Sequence, residues 1–302
     1  MGHEKKQGQP IPFFQRIFMQ KQSNWSIGIF SGPDPFTLRP FHSDMPSLDA
    51  SHCGADQAKF VADPFLWPHE GRWYLFYEAL IKDKGVICVS SSHDLRNWHY
   101  GGIALETPSH LSYPFIFALQ GNVLMIPEDL ASGGVYLYVA KKFPYQWVAV
   151  AKLLDGMHAD ATLFHHGQHW WMLTCPTPYG NDTLQLFYSK NLLSGWEPHP
   201  SGWIRQSDPR YARPSGRVFR HQEKLYRLTQ NCEPHYGHSV NAFHIQQLDQ
   251  THYVEISDPI PILKPSGRGW NRDGMHHADL HQLRPDLWIA SVDGQFTLTC
   301  RA

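Results

Sequence analysis

Acidic side chains recur at matching places along this 302-residue chain. Asp63 and Asp160 each stand just before an apolar run, and Glu78 and Glu128 each end the second apolar run of a similar segment. Two carboxyl groups that face one another can cleave a glycosidic bond, since one protonates the leaving oxygen and the other acts as base or nucleophile. The pattern therefore predicts chemistry on a carbohydrate, provided that the fold brings these side chains together.

An internal repeat supplies the elements that would position them. Trp98, Trp147 and Trp196 lie 49 residues apart and close three similar phrases. Two apolar runs separated by a glycine turn precede each phrase, and two weaker copies follow. The residues that open the five units are Asp63, Tyr113, Asp160, Arg213 and His277.

Each unit corresponds to four short antiparallel strands. The apolar runs show no sustained helical periodicity, and 23 glycines and 23 prolines supply the many turns that short strands require. Such a unit cannot bury both sheet faces alone, and radial stacking of units gives a β-propeller. The sequence predicts an all-β fold, a single five-bladed β-propeller over residues 1–302, with blades starting near residues 60, 110, 158, 211 and 275. A strand at about residues 24–31 has no unit of its own and is predicted to complete the last blade and close the ring.

The innermost strand of every propeller blade starts at one end of the central channel, and the second strand returns to that end. Side chains that open first strands or end second strands should therefore meet at one mouth. Asp63, Glu128 and Asp160 are the candidate catalytic residues there. Asp279 and Asp293 lie near equivalent places in the last unit, and any of these carboxylates could instead cap a turn or pair with an arginine. The candidate substrate-binding residues are Glu78, Tyr113, His158, Arg213, Gln230, His276 and His277.

Composition excludes several classes of partner. Lys and Arg total 26 against 27 Asp and Glu, so no net positive charge favours nucleic acid or an anionic membrane. No 18-residue apolar run and no N-terminal signal segment are present, and no membrane span is expected. The five cysteines are an odd number without paired short spacings, which indicates reduced thiols and a cytoplasmic location. They are Cys53, Cys88, Cys175, Cys232 and Cys300.

Two phrases resemble a known family of hydrolases. Ala62-Asp63-Pro64, followed by Gly71-Arg-Trp-Tyr-Leu, resembles the first-blade motif of glycoside hydrolase family 43 and its five-bladed relatives. In that family the motif aspartate is the general base, which implies this role for Asp63. A third-blade aspartate orients and tunes the acid, and Asp160 in His158-Ala-Asp-Ala-Thr-Leu-Phe164 matches it.

A second resemblance covers most of the chain. The phrases that carry it are Phe60-Val-Ala-Asp-Pro-Phe65, His110-Leu-Ser-Tyr-Pro114, Ile126-Pro-Glu128, Ala212-Arg-Pro-Ser-Gly216 and His276-His277. They resemble the propeller domain of bacterial proteins related to the N-terminal part of plant glucosamine inositolphosphorylceramide transferase.

The chain departs from family 43 in the fourth blade, where Arg213 occupies the region of that family's acidic glutamate. Glu128 is the candidate replacement acid, and Glu78 is the second choice. A guanidinium at the mouth suits a carboxylate, sulfate or phosphate on the substrate. Arg213 could equally form an ion pair with Asp63 or Asp160.

The sequence thus predicts a glycoside hydrolase acting on a carbohydrate, one that could bear an anionic group. The alternative is a non-catalytic carbohydrate-binding module or an accessory domain of a glycan or glycolipid glycosyltransferase, although no glycine-rich nucleotide-binding fingerprint is present. Tyr113 and Trp270 are candidates for stacking on a sugar face. No cofactor is expected. The 20 histidines leave a central metal ion as an alternative, but no metal-ligand spacing supports it.

Overall fold

The computed structural model describes residues 19–301, and almost all regular structure in that range is β-strand. The Met1–Phe18 segment, in which no signal was found, lies outside the described residues. Three short 3₁₀ turns occupy Ala50–Asp56, Leu130–Ser132 and Gly269–Asn271. No helix in the described range is long and apolar enough to cross a membrane. The strands, in chain order, are β1 (Met19–Gly32), β2 (Arg39–Pro40), β3 (Val61–His69), β4 (Arg72–Ile81), β5 (Lys84–Ser92), β6 (His99–Leu105), β7 (Ser112–Leu119), β8 (Asn122–Glu128), β9 (Gly134–Lys142), β10 (Gln146–Asp155), β11 (Ala159–His166), β12 (His169–Cys175), β13 (Leu184–Ser189), β14 (Glu197–Arg205), β15 (Phe219–His221), β16 (Lys224–Asn231), β17 (Ser239–Leu248), β18 (Tyr253–Glu255), β19 (Ile260–Leu263), β20 (Ala278–Arg284) and β21 (Leu287–Arg301).

These strands form five antiparallel sheets, each of which is one blade. The first three blades run in simple order from the inner to the outer strand, as β3 to β6, β7 to β10 and β11 to β14. The fourth blade contains β15 to β18, with β19 paired to β17. The fifth blade has the order β20, β21, β1, β2. The predicted five-bladed β-propeller is therefore confirmed.

The N-terminal strand closes the ring, as predicted. β1 pairs with β21 along its whole length, and it is longer than the predicted segment 24–31. Ile27 lies opposite Asp293 in this pairing and is completely buried. Because β1 supplies the third strand of the last blade, the first and last parts of the chain share one sheet.

The inner strands are buried on both faces because each has a neighbouring blade on either side. The first six residues of β3 are all buried, and β7 and β11 show the same run. A continuous apolar run bounded by turns is typical of such a strand. β15 is shorter and starts later than its predicted counterpart near residue 211, since only Pro214 bridges to β16 before Phe219.

A recurring backbone distortion marks the start of the first three inner strands. Asp63, Tyr113 and Asp160 have positive φ angles of 52°, 44° and 51°, the left-handed region that non-glycine residues avoid. The pairing register of each inner strand shifts at the same place. Such bulges redirect side chains and cluster at functional sites. Here they occur at the three equivalent residues that open the inner strands.

Candidate functional site

Side chains from all five blades meet at this end of the channel. The N–H of Asp63 donates to Asp293 Oδ2 at 3.1 Å, which links the first blade to the fifth. The N–H of Asp160 donates to Glu128 Oε2 at 3.1 Å, which links the third blade to the second. Arg213 joins the fourth blade to the third by contacts with Asp160. The structure thus brings the three candidate catalytic carboxylates together.

Arg213 is the centre of one half of the cluster. Its Nε donates to Asp160 Oδ2 at 2.5 Å and its Nη2 to Oδ1 at 3.2 Å, a bidentate pair. Nη2 also donates to Glu128 Oε2 at 3.3 Å. Nη1 donates to the carbonyl of Pro178 at 3.2 Å and to Asn181 Oδ1 at 2.8 Å. A guanidinium has five N–H groups, so none remains for a ligand.

This arrangement decides between the two uses of Arg213 that the sequence left open. The observed contact is an ion pair with Asp160, extended to Glu128, and not a free guanidinium facing an anionic substrate. Gln230 strengthens the same half of the cluster, because its Nε2 donates to Asp160 Oδ2 at 3.1 Å. Asp160 is thereby held in one orientation by two neighbours from the fourth blade.

Asp63 lies in the other half of the cluster and is almost completely buried. Burial raises its pKa well above the usual range, and the carboxylates of Glu78, Asp160 and Asp293 add to the rise, while His276 opposes it. Asp63 Oδ2 accepts the N–H of Tyr113 at 3.2 Å. Burial in this part of the cluster therefore favours the neutral form of Asp63.

His276 and Asp293 form a buried ion pair beside Asp63. Nδ1 of His276 lies 2.8 Å from Asp293 Oδ2, and its Nε2 lies 3.3 Å from Asp63 Oδ1. Burial alone would lower the pKa of His276, but Asp293 outweighs it and raises the pKa to about 9. The pKa of Asp293 is lowered, because the imidazolium overcomes the effect of burial. Both groups are charged at neutral pH.

Glu128 also has a raised pKa. Burial raises its pKa to about 7, the Arg213 guanidinium opposes the rise, and the Asp160 carboxylate adds to it. Its Oε1 accepts a hydrogen bond from Ser112 Oγ at 3.1 Å. Glu78 is also at the mouth, where its Oε1 lies 2.8 Å from His110 Nε2. The pKa of His110 is raised, chiefly by this hydrogen bond.

Other predicted site residues lie deeper in the channel or apart from the cluster. The Tyr113 hydroxyl lies 2.7 Å from Thr162 Oγ1 and accepts the N–H of Gly216 at 2.8 Å, so its ring is buried in the channel. His277 is 1% exposed, and burial lowers its pKa to about 4. His158 contacts Thr174 Oγ1 and the carbonyl of Asp155, both at 3.0 Å, in the third blade.

Asp279 and Trp270 also have structural surroundings. Asp279 forms an ion pair with Arg217 and accepts the N–H of Leu66 at 2.8 Å. Its pKa is lowered, since Arg217 and His281 outweigh the effect of burial. Trp270 is 7% exposed and packs against Phe30 at 6.4 Å between ring centroids.

Comparison with known proteins identifies the family. Residues 18–295 match the model of the family described as glucosamine inositolphosphorylceramide transferase 1, N-terminal. The chain belongs to this family. Glucosamine inositolphosphorylceramide transferase 1 of rice (Oryza sativa subsp. japonica) is 32% identical over 298 residues, which covers 90% of this chain and 40% of the relative. The protein of the same name from Arabidopsis thaliana is 32% identical over 300 residues, with 90% and 39% covered. The chain thus spans about two fifths of the length of these transferases.

Solved structures similar to this chain include glycoside hydrolases. The catalytic domain of a GH62 α-L-arabinofuranosidase from Coprinopsis cinerea has a TM-score of 0.60 and 15% identity, with 92% of this chain and 98% of that chain covered. A thermostable family-43 glycoside hydrolase has a TM-score of 0.56 and 17% identity, with 80% and 94% covered. At these identities the likeness establishes the propeller architecture only.

Two contributors to the site of this family member were not singled out from the sequence. Asn181 reaches Arg213 from the loop after β12, and Tyr236 lies over Arg213 in the loop after β16, with 5.5 Å from Cζ to the ring centroid. Both loops leave the end of a second strand at the mouth. The repeat pattern placed Glu78 and Glu128 at the mouth because they end second strands. The same pattern would also indicate Asn181 and Tyr236 if the loops after those strands were included.

Asp63, His276 and Asp293 are the one group of described residues whose ligand atoms lie close enough to hold a metal ion, within 4.8 Å of one another. Because the pKa of His276 is raised, its imidazolium already places a positive charge among these three residues. A cation would have to displace that proton before the imidazole could act as a ligand. The donor set therefore fits an ion pair better than a resident metal.

Proposed function

We propose that the chain recognises a neutral carbohydrate at the channel mouth and does not hydrolyse it. The observation that carries this proposal is the contact of Arg213 with both Asp160 and Glu128. In the family-43 pattern this region provides the acid that protonates the leaving group. A guanidinium cannot donate that proton at neutral pH, because it stays protonated in proteins.

The balance of charge supports a neutral ligand. Asp160 is paired with Arg213, Asp293 is paired with His276, and burial raises the pKa of Asp63, which favours its neutral form. With every donor of Arg213 in use, no unpaired cation of the cluster is directed toward a carboxylate, sulfate or phosphate of a ligand. The neutral, fixed array of donors and acceptors suits sugar hydroxyls.

Hydrolysis is the second candidate function, and one observation favours it. The pKa of Glu128 is raised to about 7, in the range that a general acid requires. On this alternative Glu128 protonates the leaving oxygen and Asp63, in its ionised form, acts as base. The rate would fall as the pH rises through about 7, because Glu128 must be protonated.

The names of the relatives suggest where such recognition would serve. Two of them are transferases, and this chain spans about two fifths of their length. We propose that the propeller acts as a sugar-recognising accessory unit for a glycosyl transfer reaction. This accessory role depends on carbohydrate binding, so it is wrong if the chain binds no carbohydrate.

Isothermal titration together with product analysis tests the proposal. The probes are arabino-, xylo- and cello-oligosaccharides, each incubated with the full chain. The expected result is saturable binding of at least one probe with no new reducing ends. Release of reducing ends that is abolished by Glu128→Gln would favour hydrolysis instead. Absence of both binding and turnover with all probes would overturn carbohydrate recognition.

A further inference from the structure

We propose that Tyr179 and Tyr236 form an aromatic rim for the sugar at the channel mouth, where Tyr236 also lines a cavity between the fourth and fifth blades. This inference rests on the proposed function, which it deepens by naming the contact residues. Tyr179 is 83% exposed and Tyr236 is 42% exposed, so both rings face solvent. Both belong to loops at the channel mouth.

The loop that carries Tyr179 is fixed by Arg213. Nη1 of Arg213 donates to the carbonyl of Pro178 and to Asn181 Oδ1, which flank Tyr179 on either side. Within the loop, the N–H of Asn181 donates to the carbonyl of Thr177 at 2.8 Å. Because Tyr179 stands on an anchored turn, little conformational freedom is lost when a ligand packs on its ring.

Tyr236 is held in place from three sides. Its ring centroid lies 5.5 Å from Arg213 Cζ, 5.4 Å from the ring of His276 and 6.5 Å from that of Trp25. The next residue, Gly237, has a φ of 71°, and a Cβ there would lie 2.7 Å from the Trp25 ring. Close packing around Gly237 thus keeps the loop against the mouth and leaves one part of the tyrosine ring open to solvent.

A cavity of about 760 Å³ lies directly beside Tyr236. Its volume is within the range of small-molecule binding sites, about 300–1,000 Å³. The buried Nδ1 of His238 has no hydrogen-bond partner among the described residues, and a hydroxyl of a ligand could supply one. The cavity walls include Trp25, His235, Tyr236, His238, Asp273 and Gln295.

This combination matches the chemistry of a saccharide. A pyranose ring has a face of C–H groups that packs on an aromatic ring, while its hydroxyls need donors and acceptors around the edge. The cation in the cavity wall, Arg272, is already paired with Asp273, with Nη2 3.0 Å from Oδ2. A neutral sugar is therefore the class of ligand that the cavity fits.

The test measures binding of the same oligosaccharide panel to the full chain and to Tyr179→Ala and Tyr236→Ala. Each substitution should weaken the affinity about tenfold, and Tyr236→Phe, which keeps the flat ring, should bind nearly as the wild type. Tyr145→Ala is the matched control, since Tyr145 is 49% exposed on the second blade. Near-ultraviolet circular dichroism checks that each variant is folded.

The outcomes separate this inference from the proposed function. If the wild type binds a sugar and both alanine variants bind it equally well, the aromatic rim is wrong while carbohydrate recognition stands. If Tyr145→Ala weakens binding as much as they do, the rim has no special role. If the wild type binds no sugar of the panel, the proposed function and this inference are both overturned.

Discussion

Arg213 and Asp160 form a bidentate ion pair across the boundary between the third and fourth blades, with Nε 2.5 Å from Oδ2 and Nη2 3.2 Å from Oδ1. Both side chains are almost completely buried. The pair joins two blades at the channel mouth and holds the carbonyl of Pro178 and the side chain of Asn181 in place. The ion pair therefore fixes the shape of the channel mouth and also neutralises the charge of the Asp160 carboxylate.

Removing Arg213 should destabilise the protein strongly. Arg213→Met leaves Asp160 as an uncompensated buried charge, and loss of one partner of such a pair costs about 3–5 kcal/mol of unfolding free energy. Urea denaturation measures the change. Arg284→Ala is the control, because Arg284 is 69% exposed and lies 4.0 Å from Asp286. Equal stability losses in the two variants would contradict the structural role of Arg213.

Asp63 and Asp293 should respond differently to the same substitution. The raised pKa of Asp63 favours its neutral form, so Asp63→Asn should cost only about 1 kcal/mol. Asp293 is ionised, accepts the N–H groups of His276 and His277 at 3.0 Å, and faces the imidazolium. Asp293→Asn should therefore cost about 3 kcal/mol. Thermal unfolding of both variants at pH 7 checks the order, and the reverse order would show that Asp63 carries the charge.

The stability of the protein should fall as the pH rises above neutrality. The pKa of His276 is about 9 in the folded protein against about 6.5 when unfolded, so its stabilisation is complete below pH 6.5 and is lost as the pH passes through 9. The full effect is about 3 kcal/mol, since each pKa unit corresponds to about 1.4 kcal/mol. The raised pKa of Asp63 acts in the same direction.

Denaturant unfolding between pH 6 and pH 10 measures this dependence. His276→Gln should flatten the profile, whereas His158→Gln, outside the cluster, should leave its slope unchanged. A His276→Gln profile as steep as that of the wild type would exclude His276 as the titrating group.

Deleting residues 1–31 should prevent formation of a closed ring. The deletion removes almost all of β1, and the edge of β21 and the pocket of Ile27 would then be exposed to water. We expect the deletion variant to lose its cooperative thermal unfolding transition. Calorimetry measures this transition. An unchanged melting temperature would mean that the last blade is stable without its third strand.

The candidate site was predicted only in part from the sequence. The repeat indicated that Asp63, Glu128 and Asp160 would face one another, and the structure brings them together. The sequence left open whether Arg213 contacts Asp63, Asp160 or a ligand, because these alternatives differ by only a few ångströms in the position of the guanidinium. Tyr179 and Tyr236 were not singled out, since they lie in loops beyond the strand ends that the repeat marks.

The amino-acid sequence by itself determined the number of blades and the strand that closes the ring. A period of 49 residues and a lone strand near the N-terminus are properties of residue order, and stacking of repeats follows from the need to bury both sheet faces. Tertiary structure alone decided which carboxylates are charged. Protonation depends on burial and on distances between side chains of different blades, and residues as far apart in the chain as Asp63 and Asp293 meet only when the ring has closed.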